Sequence, residues 1–231
     1  MQRLDKLLSE AGVASRKELK YIIRAGRITV DGQVVKSPEA KVDETEAVVC
    51  LDGAEIAKRR RMLVMLHKPA GYVTSTEDPR DRTVMELIPP QWKAMELKPV
   101  GRLDKETEGL LLLTNDGDLA HRILSPRHTV WKRYYAEHAG TAGDADVAAF
   151  AEGITLKDGD RCLPARLTPQ GEGRSLVEVC EGKYHQVRRM LASRGMPVTY
   201  LKRIAEAGLT LGELPAGQCR EVDFAELPAD L

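Results

Sequence analysis

Apolar positions near the N-terminus recur at helical spacing. Leu4, Leu7, Leu8 and Ala11 share one side of a short helix that Gly12 can end. Ser15 followed three residues later by Glu18 is a capping box, and it predicts a second helix with Leu19, Ile22 and Ile23 on one stripe and Gly26 as its stop. The stretch "RITVDGQVV" then sets Asp31-Gly32 between two short apolar runs, which predicts a tight hairpin. Residues 1–48 therefore read as one small module of two helices and a hairpin.

The pattern changes near Val49. "DGAEIAKRRRM" has little periodicity and reads as a linker over residues 49–61. From residue 62 onward short apolar runs dominate: "MLVML", "GLLLLT", "YYAEH", "SLVEVC", "VTYLKRI" and "GLTL", with Gly and Pro between them. Only "DLAHRIL" and "YHQVRRMLASRG" read as helices, and the chain past Ala205 as a final hairpin with an acidic tail. Strand blocks without regular helix alternation predict an α+β protein. Its N-terminal helical and hairpin module is followed by a large, mainly antiparallel mixed β-sheet domain over residues 62–231.

Composition narrows this picture little. The chain has 231 residues, 42% hydrophobic and 30% charged, with no net charge. Cys50, Cys162, Cys180 and Cys219 are far apart and form no CxxC pair, as expected of reduced thiols in the cytoplasm. No run is apolar enough for a membrane span, and the N-terminus has no signal-peptide character. The charge distribution is more informative than the sum. Residues 1–36 hold eight basic and four acidic side chains, a local net charge of +4. Arg16, Lys20, Arg24 and Arg27 recur on the side of the second helix opposite its apolar stripe. Such a face is either simply solvated or a surface for nucleic acid. The cluster Lys58, Arg59, Arg60 and Arg61 allows the same two readings, solvation or a phosphate contact.

No P-loop, GxGxxG, HExxH or GxSxG is present, and the five histidines have no metal-ligand spacing. The expectation is chemistry by carboxylate, Tyr, Arg and Lys, with no metal and no cofactor. "GRLDKETEGLLLLTNDGDLAHRI", residues 101–123, holds the candidate carboxylate. Leu110, Leu111, Leu112 and Leu113 form a buried run. Arg102 and Asp104 lie on one side just before it, with Leu103 as an anchor and Thr107 able to bond the turn. The arrangement is either a rigid platform for a nucleophile or a self-paired Arg-Asp surface turn.

Two resemblances bear on these choices. "RLDKLLSEAGVASRKELKYIIRAGRITVDGQVV" resembles the alpha-L RNA-binding motif, the small fold named after a small-subunit ribosomal protein, which implies that the basic helix holds RNA. "GRLDKETEGLLLLTNDGDLAHRI" closely resembles the signature of the RsuA/RluA-type pseudouridine synthases, whose catalytic nucleophile is the Asp of GRLD. "HKPAGYVTSTEDP", "EGKYHQVRRM" and the closing "LGELPAGQCREV" resemble further segments of that family, so the likeness spans nearly the whole chain. His67 stands where Asn is more frequent in the family.

The resemblance implies site residues by motif. Asp104 is the nucleophile. Tyr134 of Lys132-Arg133-Tyr134 is the second catalytic residue, with Tyr135 the risk of misregister. Arg188, after "HQV", is the basic partner of Asp104, and Val187 packs beneath the base. The distorted RNA needs a basic surface, for which Lys68, Arg80, Arg82, Arg127, Lys132 and Lys183 are candidates beside Arg102 and the face of Arg16, Lys20, Arg24 and Arg27. The implied activity is isomerisation of a uridine in ribosomal RNA, without a cofactor, by a monomer acting on rRNA or a pre-ribosomal particle. "YHQVRRM" resembles the 16S rRNA members, whereas 23S members more often carry "NRQVRRM". The alternatives are a 23S rRNA synthase and a non-catalytic RNA-binding or ribosome-assembly protein.

Overall fold

The computed structural model describes every residue except Thr45, Lys58, Arg59, Pro126 and Arg127. It divides into two compact units, Met1–Arg60 and Arg61–Leu231.

The first unit begins with β1 (Gln2–Arg3), α1 (Leu4–Glu10) and α2 (Arg16–Arg24). Ser15 and Glu18 cap α2 reciprocally: the Ser15 amide donates to Glu18 Oε2 at 3.0 Å, and the Glu18 amide to Ser15 Oγ at 3.4 Å. Then come β2 (Ile28–Val30), β3 (Gln33–Val34), β4 (Lys41–Val42), β5 (Val49–Leu51) and β6 (Ala54–Glu55). The order β3-β2-β5-β6 makes an antiparallel sheet, and β1 pairs with β4. Leu4, Leu8, Leu19, Ile23, Ile28, Val42, Ala47 and Val49 form the core.

The linker expected over residues 49–61 is corrected here, because β5 and β6 belong to this sheet. Asp52 and Gly53, with φ of 51° and 84°, repeat the turn that Asp31 and Gly32 make with φ of 48° and 79°. Both are Asp-Gly hairpins in the left-handed region. The second one escapes the sequence pattern because its strands have three and two residues, too short for a visible alternation. Lys58 and Arg59 of the basic cluster lie outside the described residues.

The second unit is built on one large sheet. Its elements are β7 (Leu63–Lys68), β8 (Lys98–Val100), β9 (Glu108–Thr114), α3 (Gly117–Leu124), β10 (Lys132–His138), α4 (Asp144–Glu152), β11 (Arg166–Pro169), β12 (Arg174–Val179), α5 (Gln186–Ser193), β13 (Val198–Glu206), β14 (Leu209–Thr210) and β15 (Cys219–Val222). The strand order is β11-β12-β10-β13-β9-β7-β15, with β14 beside β13 and β8 beside β9. Among the described strands only β9 and β13 pair in parallel. The sheet is thus mainly antiparallel and mixed, and the protein is α+β.

The leucine run of β9 serves both faces of the sheet, as a pleat requires. Leu111 and Leu113 join the core that includes Phe150 of α4 and Val187, Met190 and Leu191 of α5. Leu110 and Leu112 join the opposite core, with Leu119 and Ile123 of α3. The parallel contact between β9 and β13 depends on Gly109, whose φ is 110°. A Cβ there would stand 2.1 Å from the Arg203 carbonyl oxygen. Any side chain at Gly109 would force the two central strands apart.

Candidate active site

Asp104 lies in the loop between β8 and β9, and its backbone is fixed on both sides. The Thr74 hydroxyl donates to the Leu103 carbonyl at 2.8 Å and accepts from the Leu103 amide at 3.1 Å. The Thr107 amide closes the turn onto the Asp104 carbonyl at 3.0 Å. Beneath the loop, the Lys68 ammonium donates to the carbonyls of Pro69, Lys105 and Thr107 at 3.0, 3.0 and 2.8 Å. The Asp104 side chain itself keeps 37% of its surface open. Arg102, exposed beside it, makes no ion pair with it among the described residues. The self-paired turn is therefore not what forms: this is a fixed backbone presenting an open carboxylate.

Asp104 opens into two adjoining cavities. The narrow one is walled by Leu103, Thr107, Tyr134, Val187 and Leu201 among others. The wider one, of about 410 Å³, extends past Arg102, Lys132, His128 and Arg203. Tyr134 reaches both. It is the third residue of β10, and its inward orientation leaves Tyr135 on the opposite face, where its hydroxyl donates to Glu137 at 3.1 Å and its ring meets Tyr200 edge-on at 6.3 Å. Burial pushes the Tyr134 hydroxyl above its ordinary pKa, while the guanidinium of Arg203 opposes that rise.

The structure does not bring Arg188 to Asp104. On α5, Val187 faces the cavity and the next residue is turned about 100° around the helix. Arg188 instead reaches the Val198 carbonyl at 3.5 Å and lines neither cavity. The fully buried basic group that lines the wider cavity with Tyr134 is Arg203 of β13, which no motif in the sequence marks. Its side chain is buried. Nε donates to the Leu110 carbonyl at 2.7 Å, Nη1 to the Tyr134 hydroxyl at 3.5 Å, and Nη2 stands 3.0 Å from Glu206 Oε2. The available signal was "TYLKRIAE", where the alternation that buries Leu201 also turns Arg203 inward.

Lys68 also departs from expectation. It is fully buried and cannot touch RNA; it organises the Asp104 loop from below. Burial lowers its pKa to about 8, against the attraction of Glu106, Asp104 and Glu108. Lys132 and Arg102 line the wider cavity, and burial lowers the pKa of Lys132. His67 is a structural residue, its Nδ1 2.6 Å from the Leu214 carbonyl. His185, unforeseen, places Nε2 3.5 Å from Asp104 Oδ1. Arg82 sits 4.5 Å over the Tyr72 ring and pairs with Glu86. Arg127 lies outside the described residues.

On the basic face of the first unit, two of the four expected cations already have carboxylate partners. Arg16 joins Arg3 on the buried Asp5, whose carboxyl these hydrogen bonds hold down to about 2. Arg27 pairs with Asp52. Lys20 and Arg24 are exposed and make no ion pair among the described residues.

Known proteins give this geometry its context. A model of the RNA pseudouridylate synthase family matches residues 62–193, and one of the S4 domain, an RNA-binding fold, matches residues 2–48. A ribosomal small subunit pseudouridine synthase A of Vibrio vulnificus is 40% identical over 97% of each chain. An uncharacterized RNA pseudouridine synthase of Bacillus subtilis is 38% identical, covering 97% of this chain and 96% of the relative. A crystal structure of a pseudouridylate synthase is 32% identical and covers 98% of both chains, with a TM-score of 0.69. The chain belongs to the RNA pseudouridylate synthase family: it is an RNA pseudouridine synthase, an isomerase, preceded by an S4 domain.

Proposed function

We propose that the protein converts a uridine of 16S ribosomal RNA to pseudouridine, with Asp104 as nucleophile and no cofactor, acting as a monomer in the cytoplasm on rRNA or a pre-ribosomal particle. The observation that carries the reading is the open Asp104 carboxylate on a pinned loop, sharing its cavity with Tyr134 and Arg203. The relatives of 40% and 42% identity named ribosomal small subunit pseudouridine synthase A support the 16S target.

The reaction breaks the bond from N1 of uracil to C1′ of the ribose, turns the base, and joins C5 to C1′. N1 gains a proton and C5 loses one, so the product is an isomer and the balance needs no co-reactant. Asp104 attacks as the carboxylate, at the sugar or at the ring. Arg203 takes the place that the sequence motif gave to Arg188: its guanidinium orients the Tyr134 hydroxyl and favours negative charge nearby. Tyr134 offers a ring face to the base and a hydroxyl for the proton. Val187 forms part of the apolar wall. The target must leave its stack to reach Asp104. In this reading Arg102 and Lys132 hold the RNA at the cavity, and Lys20 and Arg24 of the first unit add affinity for RNA.

Asp104→Asn keeps the shape and loses the charge. Its thermal midpoint and rRNA affinity should match the wild type, while tritium release from C5-labelled 16S transcript falls by at least ~10⁴-fold, about 5.5 kcal/mol in the barrier. Substantial release by this variant would overturn the nucleophile. Release by the wild type from 23S but not 16S transcript would move the target, and none from either would overturn naked ribosomal RNA as the substrate.

A further inference from the structure

The second unit keeps its large apolar side chains inside, with three exceptions among the described residues: Leu124, Leu163 and Tyr184. All three stand at the mouth of the wider cavity over Asp104. Exposed apolar groups that gather at one place mark a binding surface more often than scattered ones do.

Tyr184 is the most prominent, 71% exposed. Its ring lies on the imidazole of His185, with centroids 3.9 Å apart and planes 16° from parallel. His185 holds a left-handed backbone with φ of 47°, uncommon for a residue with a Cβ. That backbone places its Nε2 against Asp104. One face of the Tyr184 ring is thus backed by a fixed neighbour, and the remainder is open to solvent.

The surrounding charge suits a polyanion. Arg102 is exposed at the same mouth without an ion pair among the described residues, and Lys132 is half-buried in its wall. Lys183 is already engaged, with the Arg161 carbonyl at 2.8 Å and Asp160 at 3.8 Å. Glu181, the carboxylate of the rim, accepts from the Leu163 amide and the Gln186 side chain. A backed aromatic face beside cations is the arrangement on which unstacked bases of single-stranded RNA settle. Turning out one uridine strips its neighbour of a stacking partner, so a replacement surface at the mouth lowers the cost of opening the strand. A cavity of about 410 Å³ is roomy enough for more than one ring system.

We propose that Tyr184, backed by His185 and flanked by Leu124 and Leu163, seats the base of a nucleotide adjacent to the target uridine. The enzyme would then recognise at least two unstacked bases, one over Asp104 and one on Tyr184. This rests on the synthase reading of Asp104.

The test is tritium release from naked C5-labelled 16S transcript by wild type, Tyr184→Ala, Tyr184→Phe and Tyr184→Trp. Loss of the platform should raise KM roughly ten-fold, the lower part of the range for base–aromatic stacking, and leave kcat within about two-fold. Phe and Trp should restore wild-type KM, which loss of a merely structural side chain at this exposed position would not predict. Once the modified uridine is mapped, an oligonucleotide with an abasic neighbour should show the same rise with wild type and no further rise with Tyr184→Ala. An unchanged KM for Tyr184→Ala, or additive effects of the abasic site and the variant, would overturn the proposal. So would a defect confined to ribosomal particles, which would mean that the rim docks a protein. No release by the wild type would instead remove the parent reading, and this inference with it.

Discussion

The protein carries positive charge in two contrasting ways. Along α2 and just past its end the cations stand in water, spaced every three or four residues, and two of them pair with Asp5 and Asp52. Beneath and beside Asp104, Lys68 and Arg203 are buried, and their partners are mostly backbone carbonyls brought from distant parts of the chain. Exposed charges are hydrated whether or not they pair, so each adds little to stability and is weakened by salt. A buried charge has no such refuge. It must be held by hydrogen bonds, and in being held it fixes the groups that hold it. The first kind can provide affinity for RNA; the second provides geometry for Asp104 and Tyr134.

The sharpest way to break this contrast is at Arg203. Arg203→Gln leaves Glu206 buried without its cation, which should cost about 3–5 kcal/mol. The thermal midpoint should fall by roughly 10 °C. Arg203→Lys keeps a charge, yet one ammonium cannot span the Leu110 carbonyl, the Tyr134 hydroxyl and Glu206 together. That variant should stay folded with turnover down about 100-fold. Arg188→Gln should differ little from wild type in either measure, because its described contact is one long bond to Val198. Reversal of the two positions, with Arg188→Gln inactive and Arg203→Lys active, would restore the motif-based assignment.

Lys68 sharpens the comparison through pH. Its folded pKa of about 8 lies below the ordinary 10.5. Between those values the unfolded chain keeps a proton that the folded protein has released, so this group's contribution to stability increases with pH. It is complete above about 10.5 and lost as pH falls through 8, with a magnitude up to about 3 kcal/mol. The measurement is urea unfolding of wild type and Lys68→Met from pH 7 to 10.5. The wild type should gain on the variant across that window. Parallel curves would mean that the ammonium is as well solvated as one on the surface.

The same contrast explains what could be read from the sequence. Helical periodicity and a capping box made α2 and its outward cations legible, and Asp31-Gly32 gave the first hairpin. Asp52-Gly53 carried an equal signal but sat in strands too short to show a period. The four-leucine run announced a buried strand, and the long GRLD motif supplied Asp104 by resemblance. Arg203 was hidden for a physical reason. Hydropathy assigns charge to the outside, while the β13 pleat places Arg203 on the same side as Leu201, and Gly109 admits its backbone against β9. Lys68 was misassigned on the same ground. Two of its three carbonyl partners, Lys105 and Thr107, lie in a segment that no local pattern connects to it. Arg188, the position after Val187 on the helix, points off the face that lines the cavity.

The smallest expected effect lies on the α2 surface, where the four cations are not equivalent. Lys20 and Arg24 have no ion pair among the described residues, whereas Arg16 and Arg27 do. An RNA phosphate would meet the first two directly but would have to displace a carboxylate from the others. Neutralising Lys20 and Arg24 to Gln should reduce the slope of log affinity for 16S transcript against log salt by roughly one unit per lost contact. The thermal midpoint should barely move, since both side chains are hydrated. Neutralising Arg16 should do the opposite. It removes one of two guanidinium groups from the buried Asp5, whose depressed pKa contributes stability above about pH 4 that fades as pH falls toward 2. Arg16→Gln should therefore lower the midpoint of the first unit at neutral pH and shrink that difference in acid, with little change in salt slope. Equal slope changes for Lys20, Arg24 and Arg16 would show that RNA competes successfully with Asp5, and that the face binds as one surface in spite of its internal pairing.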